Sequence, residues 1–296
     1  MSWFALALVC AASLAAADAL TQKWLARHTA AELVLVRFTL AAVWLLPWLA
    51  LHPPRMPEPP FWLWVGTALP LEVLAMVLYV LAIRDTPLAL TLPYMAFTPV
   101  FASVVGWFLL GESLSAQGLL GVLLVTSGAY VLNLDHARLN EPRSWLAPFA
   151  AMVRNRGSRL MLAVALIYSV TSVQGKGAMQ YMAGMEFGAF YFVLLGLLTL
   201  AVFGLRDPAS LRVLRHPGPG ALAVAALMAV MVVTHFLALE RIQTAYMIAV
   251  KRVSILFGIL FGALLFGDRR LPRHLFAGSV MVAGVALIVL QQGAGP

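Results

Sequence analysis

LAIRDTPLALTLPYMAFTPVFASVVGWFLLGES (81–113) and LALERIQTAYMIAVKRVSILFGILFGALLFGDR (237–269) lie over each other without a gap at a constant offset of 156. Leu81/Leu237, Ala82/Ala238, Ala89/Ala245, Phe101/Phe257, Gly106/Gly262, Leu109/Leu265 and Gly111/Gly267 are identical, Thr98 falls on Ser254, and Glu112 falls on Asp268. Seven identities in 33 positions carry little weight alone, because apolar sequence matches itself easily. The punctuation carries more. Each copy is a long apolar helix ending in Gly-acid, followed by a short turn and a second apolar helix. Two matched halves built of membrane-length segments point to a transporter architecture.

Working outward, 62% of the 296 residues are hydrophobic, 11% are charged, and the mean hydropathy is +0.91. Soluble domains carry roughly 45–50% apolar and about 25% charged residues, so the chain reads as an all-α polytopic membrane protein. The net charge of +8 does not point to nucleic acid, since no aromatic-basic patch or binding motif accompanies it. The single cysteine, Cys10, offers neither an intrachain disulfide nor a metal cluster, and no cofactor motif is present. Residues 3–17 are apolar and Ala15–Ala19 resembles a cleavage region, but no basic stretch precedes them. The segment is therefore retained as a first span. The same missing basic stretch, and Val9, argue against a lipoprotein reading of Cys10.

A helix needs about 20 apolar residues to cross the hydrocarbon core. Ten spans satisfy this: 3–22, 30–51, 61–83, 87–110, 116–134, 159–178, 186–205, 219–239, 244–266 and 273–291. Residues 1–134 form the first repeat, 135–158 the connection, and 159–296 the second repeat. In the connection Trp145, Leu146, Phe149, Met152 and Val153 recur at helical spacing, which fits either a short interfacial helix or an ordered loop.

Odd-numbered connections carry fourteen Lys and Arg residues, and the opposite side carries three, Arg55, Lys176 and Arg241. That bias places the odd-numbered loops in the cytoplasm and both termini outside an inner, multi-pass membrane. Five spans per half is an odd number, so the two five-helix repeats are inverted. Such folds hold substrate near the midplane, between halves that rock.

Small residues let helices approach closely in lipid. Ala102 and Gly106 in span four match Gly258 and Gly262 in span nine. Their alternative readings are packing within the chain and a homodimer face. Spans five and ten carry Gly121 and Gly128, and Gly278 and Gly284.

Ionisable residues deep in a bilayer cost several kcal/mol. Lys251 and Arg252 lie roughly 11–12 Å into span nine, and Arg37 is similarly deep in span two. Glu72 is near the middle of span three, Asp18 late in span one, and His235 late in span eight. Lys251 and Arg252 read as an anion-binding or gating pair, as partners of Glu72 or Asp18, or as side chains snorkelling to the interface. Glu72 is the leading proton-coupling candidate, with a fixed ion pair to Arg37 or Lys251 as the alternative. His235 and Asp18 are further proton-coupling candidates. A hydrogen bond to a neighbouring helix is the plainer role for His235, and pairing with Lys23 for Asp18. Three deep cations against two carboxylates leave one positive charge, which favours an anionic or amino-acid-like substrate. Tyr94 and Tyr246 are the aromatic residues best placed to line a pocket. Pro93 and Pro99 break span four and free backbone carbonyls.

LeuLeuGlyGluSerLeu (109–114) with Gly121 and Gly128, and LeuPheGlyAspArgArgLeu (265–271) with Gly278 and Gly284, resemble the EamA-type members of the drug/metabolite transporter superfamily. The resemblance spans nearly the whole chain. It implies export or exchange of a small organic metabolite through a central cavity, usually without ATP, and leaves the substrate unspecified. The outside termini and Asp268 in place of Glu depart from the family pattern. The rival functions are a passive channel, a lipid scramblase and, further off, a membrane-embedded enzyme, for which no catalytic motif is present.

Overall fold

A computed structural model describes residues 1–85, 92–132, 155–266 and 275–293. The described residues are helical, with no strand. The membrane-length segments are α1 (Trp3–Trp24), α2 (Ala30–Leu51), α3 (Pro59–Asp85), α6 (Arg156–Ala178), α7 (Gly184–Arg206) and α8 (Pro219–Leu239). The shorter apolar helices are α4 (Thr98–Leu110), α5 (Ala116–Leu132) and α11 (Leu275–Gly293). The ninth segment is broken into α9 (Thr244–Lys251) and α10 (Ser254–Phe266). Seven segments, counting the ninth as one, have the length and composition to cross a membrane. The proposed interfacial helix and the second Gly-acid turn, Gly267–Asp268, lie outside the described residues.

Local sequence accounts for the interruption before α4. Pro99 has no N–H to give to the Met95 carbonyl one turn earlier. The chain there is a 3-10 turn, Leu92–Phe97, and the Thr98 hydroxyl donates to Met95 O at 2.7 Å instead. In α2 a π-turn covers Leu35–Leu40 and contains Arg37; such bulges recur at functional sites. α4 ends at Gly111, which has φ of +66°, a backbone conformation that glycine adopts without a Cβ clash.

The chain divides into two units, and the third, sixth and ninth segments are each cut by a boundary between them. The first comprises Met1–Leu69, Gly175–Ile242 and Ser254–Arg269; the second comprises Pro70–Gln174, Gln243–Val253 and Arg270–Pro296. Each unit therefore draws on both halves of the sequence.

In the first unit, α1 packs along α8, and its buried residues are mostly small, among them Ala7, Ala11, Ala15 and Ala17. Small side chains allow the close approach that replaces the hydrophobic effect in lipid. α2 meets α7 where the Thr39 hydroxyl donates to Gly196 O at 2.9 Å. The offset of 156 carries Thr39 to Leu195, next to Gly196.

In the second unit, α5 and α11 cross through glycine. A Cβ on Gly121 would sit 2.7 Å from Gly284 O, and one on Gly128 would sit 2.7 Å from Ala277 O. The offset of 156 carries Gly121 onto Ala277 and Gly128 onto Gly284. The two contacts are thus each other's counterparts. Later residues of α5 meet earlier residues of α11, so the helices run antiparallel.

Candidate functional site

The deep charges fall into two groups, one in each unit. In the first unit the π-turn presents Arg37, whose Nη1 donates to Asp18 Oδ1 on α1 at 2.7 Å. Asp18 therefore pairs with Arg37, a deeper partner than the Lys23 that sequence proximity offered. His235 is on α8 in the same unit, buried, with its ring edge-on to Phe236.

The second unit holds Glu72, Lys251 and Arg252. Glu72 lies just past Pro70 on α3, is half-buried, and shares a side-chain hydrogen bond with Thr171 of α6. Lys251 interacts electrostatically with the same carboxyl. Arg252 interacts electrostatically with Tyr168, one turn before Thr171 on α6. The Arg252 Nε is sealed from solvent and has no hydrogen-bond partner among the described residues. Helix α9 stops at this point: Lys251 is its last residue and Arg252 its cap. The two cations thus sit at the negative end of the α9 dipole, which stabilises them modestly.

Glu72, Lys251 and Arg252 thus give the second unit one carboxylate and two cations, and Lys251 is the cation that interacts with Glu72. The Asp18–Arg37 pair in the first unit is neutral as a pair. The surplus positive charge counted in the sequence is therefore carried by the second unit.

Sequence reasoning missed Thr171. A signal was present, because α6 has the lowest mean hydropathy of the seven long segments, 1.2. That value reflects the polar run Ser169, Thr171, Ser172, Gln174 and Lys176. Ser169 shows how the run is used structurally: its hydroxyl donates to Thr98 O at 2.9 Å, joining α6 to the start of α4.

Tyr94 and Tyr246 are both fully buried. Tyr94 packs among Ala75, Ala82, Met161 and Val164, and its hydroxyl bonds the Ser158 side chain. Tyr246 Oη accepts from the Ser115 N–H at 3.3 Å and occupies the space left by Gly118.

Gly106 has a specific role. A Cβ there would come within 2.7 Å of Glu112 Oε2. The carboxylate occupies that space because it also accepts from Thr244 at the start of α9. Ala102 is fully buried. At Gly258 and Gly262 an added Cβ would meet nothing within 4 Å among the described residues, so no described neighbour requires either to be small.

Apolar helices of membrane length, one of them broken at two adjacent half-buried cations, define a multi-pass membrane protein. The family model of EamA-like transporters matches residues 1–134 and 155–290, and the chain belongs to that family, within the drug/metabolite transporter superfamily. Comparison with curated proteins gives no match. Among solved structures 27 chains match. One, titled only as a crystal structure of a protein, aligns over 98% of this chain and 97% of its own with a TM-score of 0.73 at 17% identity. At that identity the likeness is one of fold.

Proposed function

We propose that this chain is a secondary carrier that exports or exchanges a small organic metabolite bearing an anionic group. Its ten segments form two inverted five-helix repeats that alternate access to a central cavity. The reciprocal contacts Gly121–Gly284 and Gly128–Ala277 support the repeat, because they exchange under the sequence offset. Two separate matches to one family model support it independently. Odd-numbered loops face the cytoplasm and both termini face outside, on the strength of the fourteen-to-three bias in basic residues.

The single observation that carries the substrate class is the excess of cations in the second unit, where Lys251 interacts with Glu72 and the neighbouring Arg252 Nε is sealed with no hydrogen-bond partner among the described residues. A sealed guanidinium nitrogen without a partner is costly, and an anionic group entering the site would offset that cost. Glu72 is the proton-coupling group in this reading. Substrate competes with it for Lys251, and protonation of the carboxyl releases the cation to bind substrate.

Counterflow in proteoliposomes tests the carrier mechanism. A carrier preloaded with substrate accelerates uptake of labelled substrate, whereas a channel or scramblase shows no trans-stimulation. Lys251→Gln and Arg252→Gln should each abolish transport in protein that still folds and inserts. Full transport by both variants refutes the site.

A further inference from the structure

A cavity of about 740 Å³ lies wholly within the first unit, at the end where α1, α2 and α8 meet. Arg27, His28, Arg212 and His216 line it, together with Glu32, the α8 cap Gly218 and the first residues of α8, Pro219, Gly220 and Ala221. Drug-sized ligands occupy about 300–1,000 Å³, so a headgroup-sized molecule fits. The transport site proposed above uses none of these residues.

The lining is suited to an anion. Neither the Arg27 nor the Arg212 side chain makes an ion pair or hydrogen bond among the described residues. Glu32, the acid in the lining, is already engaged: its carboxylate accepts the Thr29 N–H at 2.8 Å, closing a capping box at the start of α2. His28 Nδ1 is sealed from solvent and has no hydrogen-bond partner among the described residues. Gly218 caps α8 without a side-chain hydrogen bond, so the α8 start adds its own partial positive charge. Two planar guanidiniums converging on one cavity match the oxygens of a phosphate.

The cavity's depth in the bilayer is marked by Trp24. This side chain is 51% exposed at the end of α1 and rests against Gly220, where a Cβ would come within 2.8 Å. Tryptophan concentrates at the headgroup level of membranes.

We infer that this basic cavity is a binding site for a phosphate group presented at the membrane interface. Either an anionic phospholipid headgroup or a soluble phosphate supplies that chemistry.

The full-length protein, purified in neutral detergent, is titrated separately with phosphatidylglycerol, phosphatidylcholine and inorganic phosphate, and bound ligand is read by native mass spectrometry. Arg27→Gln/Arg212→Gln is compared with Arg215→Gln, which removes a neighbouring arginine outside the lining. Unchanged elution volume and melting temperature without ligand confirm that each variant is folded. Arg27→Lys/Arg212→Lys keeps the charge but loses the planar fork.

The expected result is saturable phosphatidylglycerol binding that weakens about tenfold or more in the double Gln variant and not in Arg215→Gln. The Lys variant should be intermediate. The same pattern with inorganic phosphate, and no preference for phosphatidylglycerol over phosphatidylcholine, also supports the site and identifies a soluble source. Binding of both that is unchanged in the double Gln variant overturns the inference. So does an equal loss in Arg215→Gln, which reports diffuse surface charge, or no saturable binding of any of the three.

Discussion

The carboxylate of Glu112 holds both polar groups of Thr244. Its oxygens accept the Thr244 N–H at 2.9 and 3.1 Å and the Thr244 hydroxyl at 3.0 Å. The acid of the first Gly-acid turn thereby caps the first helix of the broken ninth segment, 132 residues away. The left-handed turn at Gly111 directs Glu112 there, and Gly106 leaves room for it.

Glu112→Ala should therefore lower stability by about 1–3 kcal/mol, the cost of an unsatisfied cap in a low-dielectric setting. Thermal unfolding in detergent reads it. A double-mutant cycle with Thr244→Val should show strong coupling, the pair costing little more than one change alone. Simple additivity would count against the capping role.

The Asp18–Arg37 pair gives a second expectation. Asp18→Asn leaves Arg37 without its carboxylate at membrane depth, a loss of about 2–3 kcal/mol. Arg37→Gln combined with Asp18→Asn should recover part of that loss, because no charge is then left uncompensated. Folded yield and melting temperature are the readouts, and a double variant worse than both single ones contradicts a simple pair.

The crossing of α5 and α11 leaves no room for a methyl group at Gly121, Gly128 or Gly284. Alanine at any of the three should destabilise by about 1–3 kcal/mol through overpacking. Gly66→Ala is the internal control. A Cβ there meets nothing within 4 Å, so the change should be neutral or stabilise by up to about 1 kcal/mol. Gly258→Ala and Gly262→Ala have the same open space among the described residues. A homodimer built on those two glycines would dissociate in these variants while the monomer stayed folded, which size-exclusion chromatography with light scattering distinguishes.

The seven membrane-length segments and the three shorter apolar helices were legible in the sequence, because hydropathy and length decide membrane insertion almost alone. Their interruptions were partly legible. Pro99 announced the break before α4, but no comparable residue announces the π-turn around Arg37 or the stop after Lys251. Both breaks coincide with charged residues, whose partners come from other segments: Asp18 for Arg37, and Glu72 for Lys251. Glu72 was one of the partners the sequence offered Lys251, whereas Asp18 was set against Lys23; choosing among such pairings depends on tertiary placement, which a charge count does not carry. Gly106 was read as a helix-contact glycine, yet it accommodates the acid six residues later in its own chain. Thr171 escaped notice because a hydroxyl costs little in a helix and leaves only a dip in hydropathy. The two spatial units also cut across the sequence repeats, since segments three, six and nine each contribute to both.

The central claim is that Lys251 and Arg252, set against Glu72, bind the anionic group of a carried metabolite. The most direct measurement is the melting temperature of the purified protein against a panel of organic acids, amino acids and phosphorylated metabolites. Carrying Arg27→Gln/Arg212→Gln in every sample keeps the basic cavity of the first unit from contributing. Binding raises apparent stability by mass action, by about 2.7 kcal/mol at one hundred times the dissociation constant. At least one anionic class should raise the melting temperature saturably, and the shift should vanish in Arg252→Gln. Stabilisation by neutral or cationic compounds alone, or an equal shift in Arg252→Gln, would contradict the account.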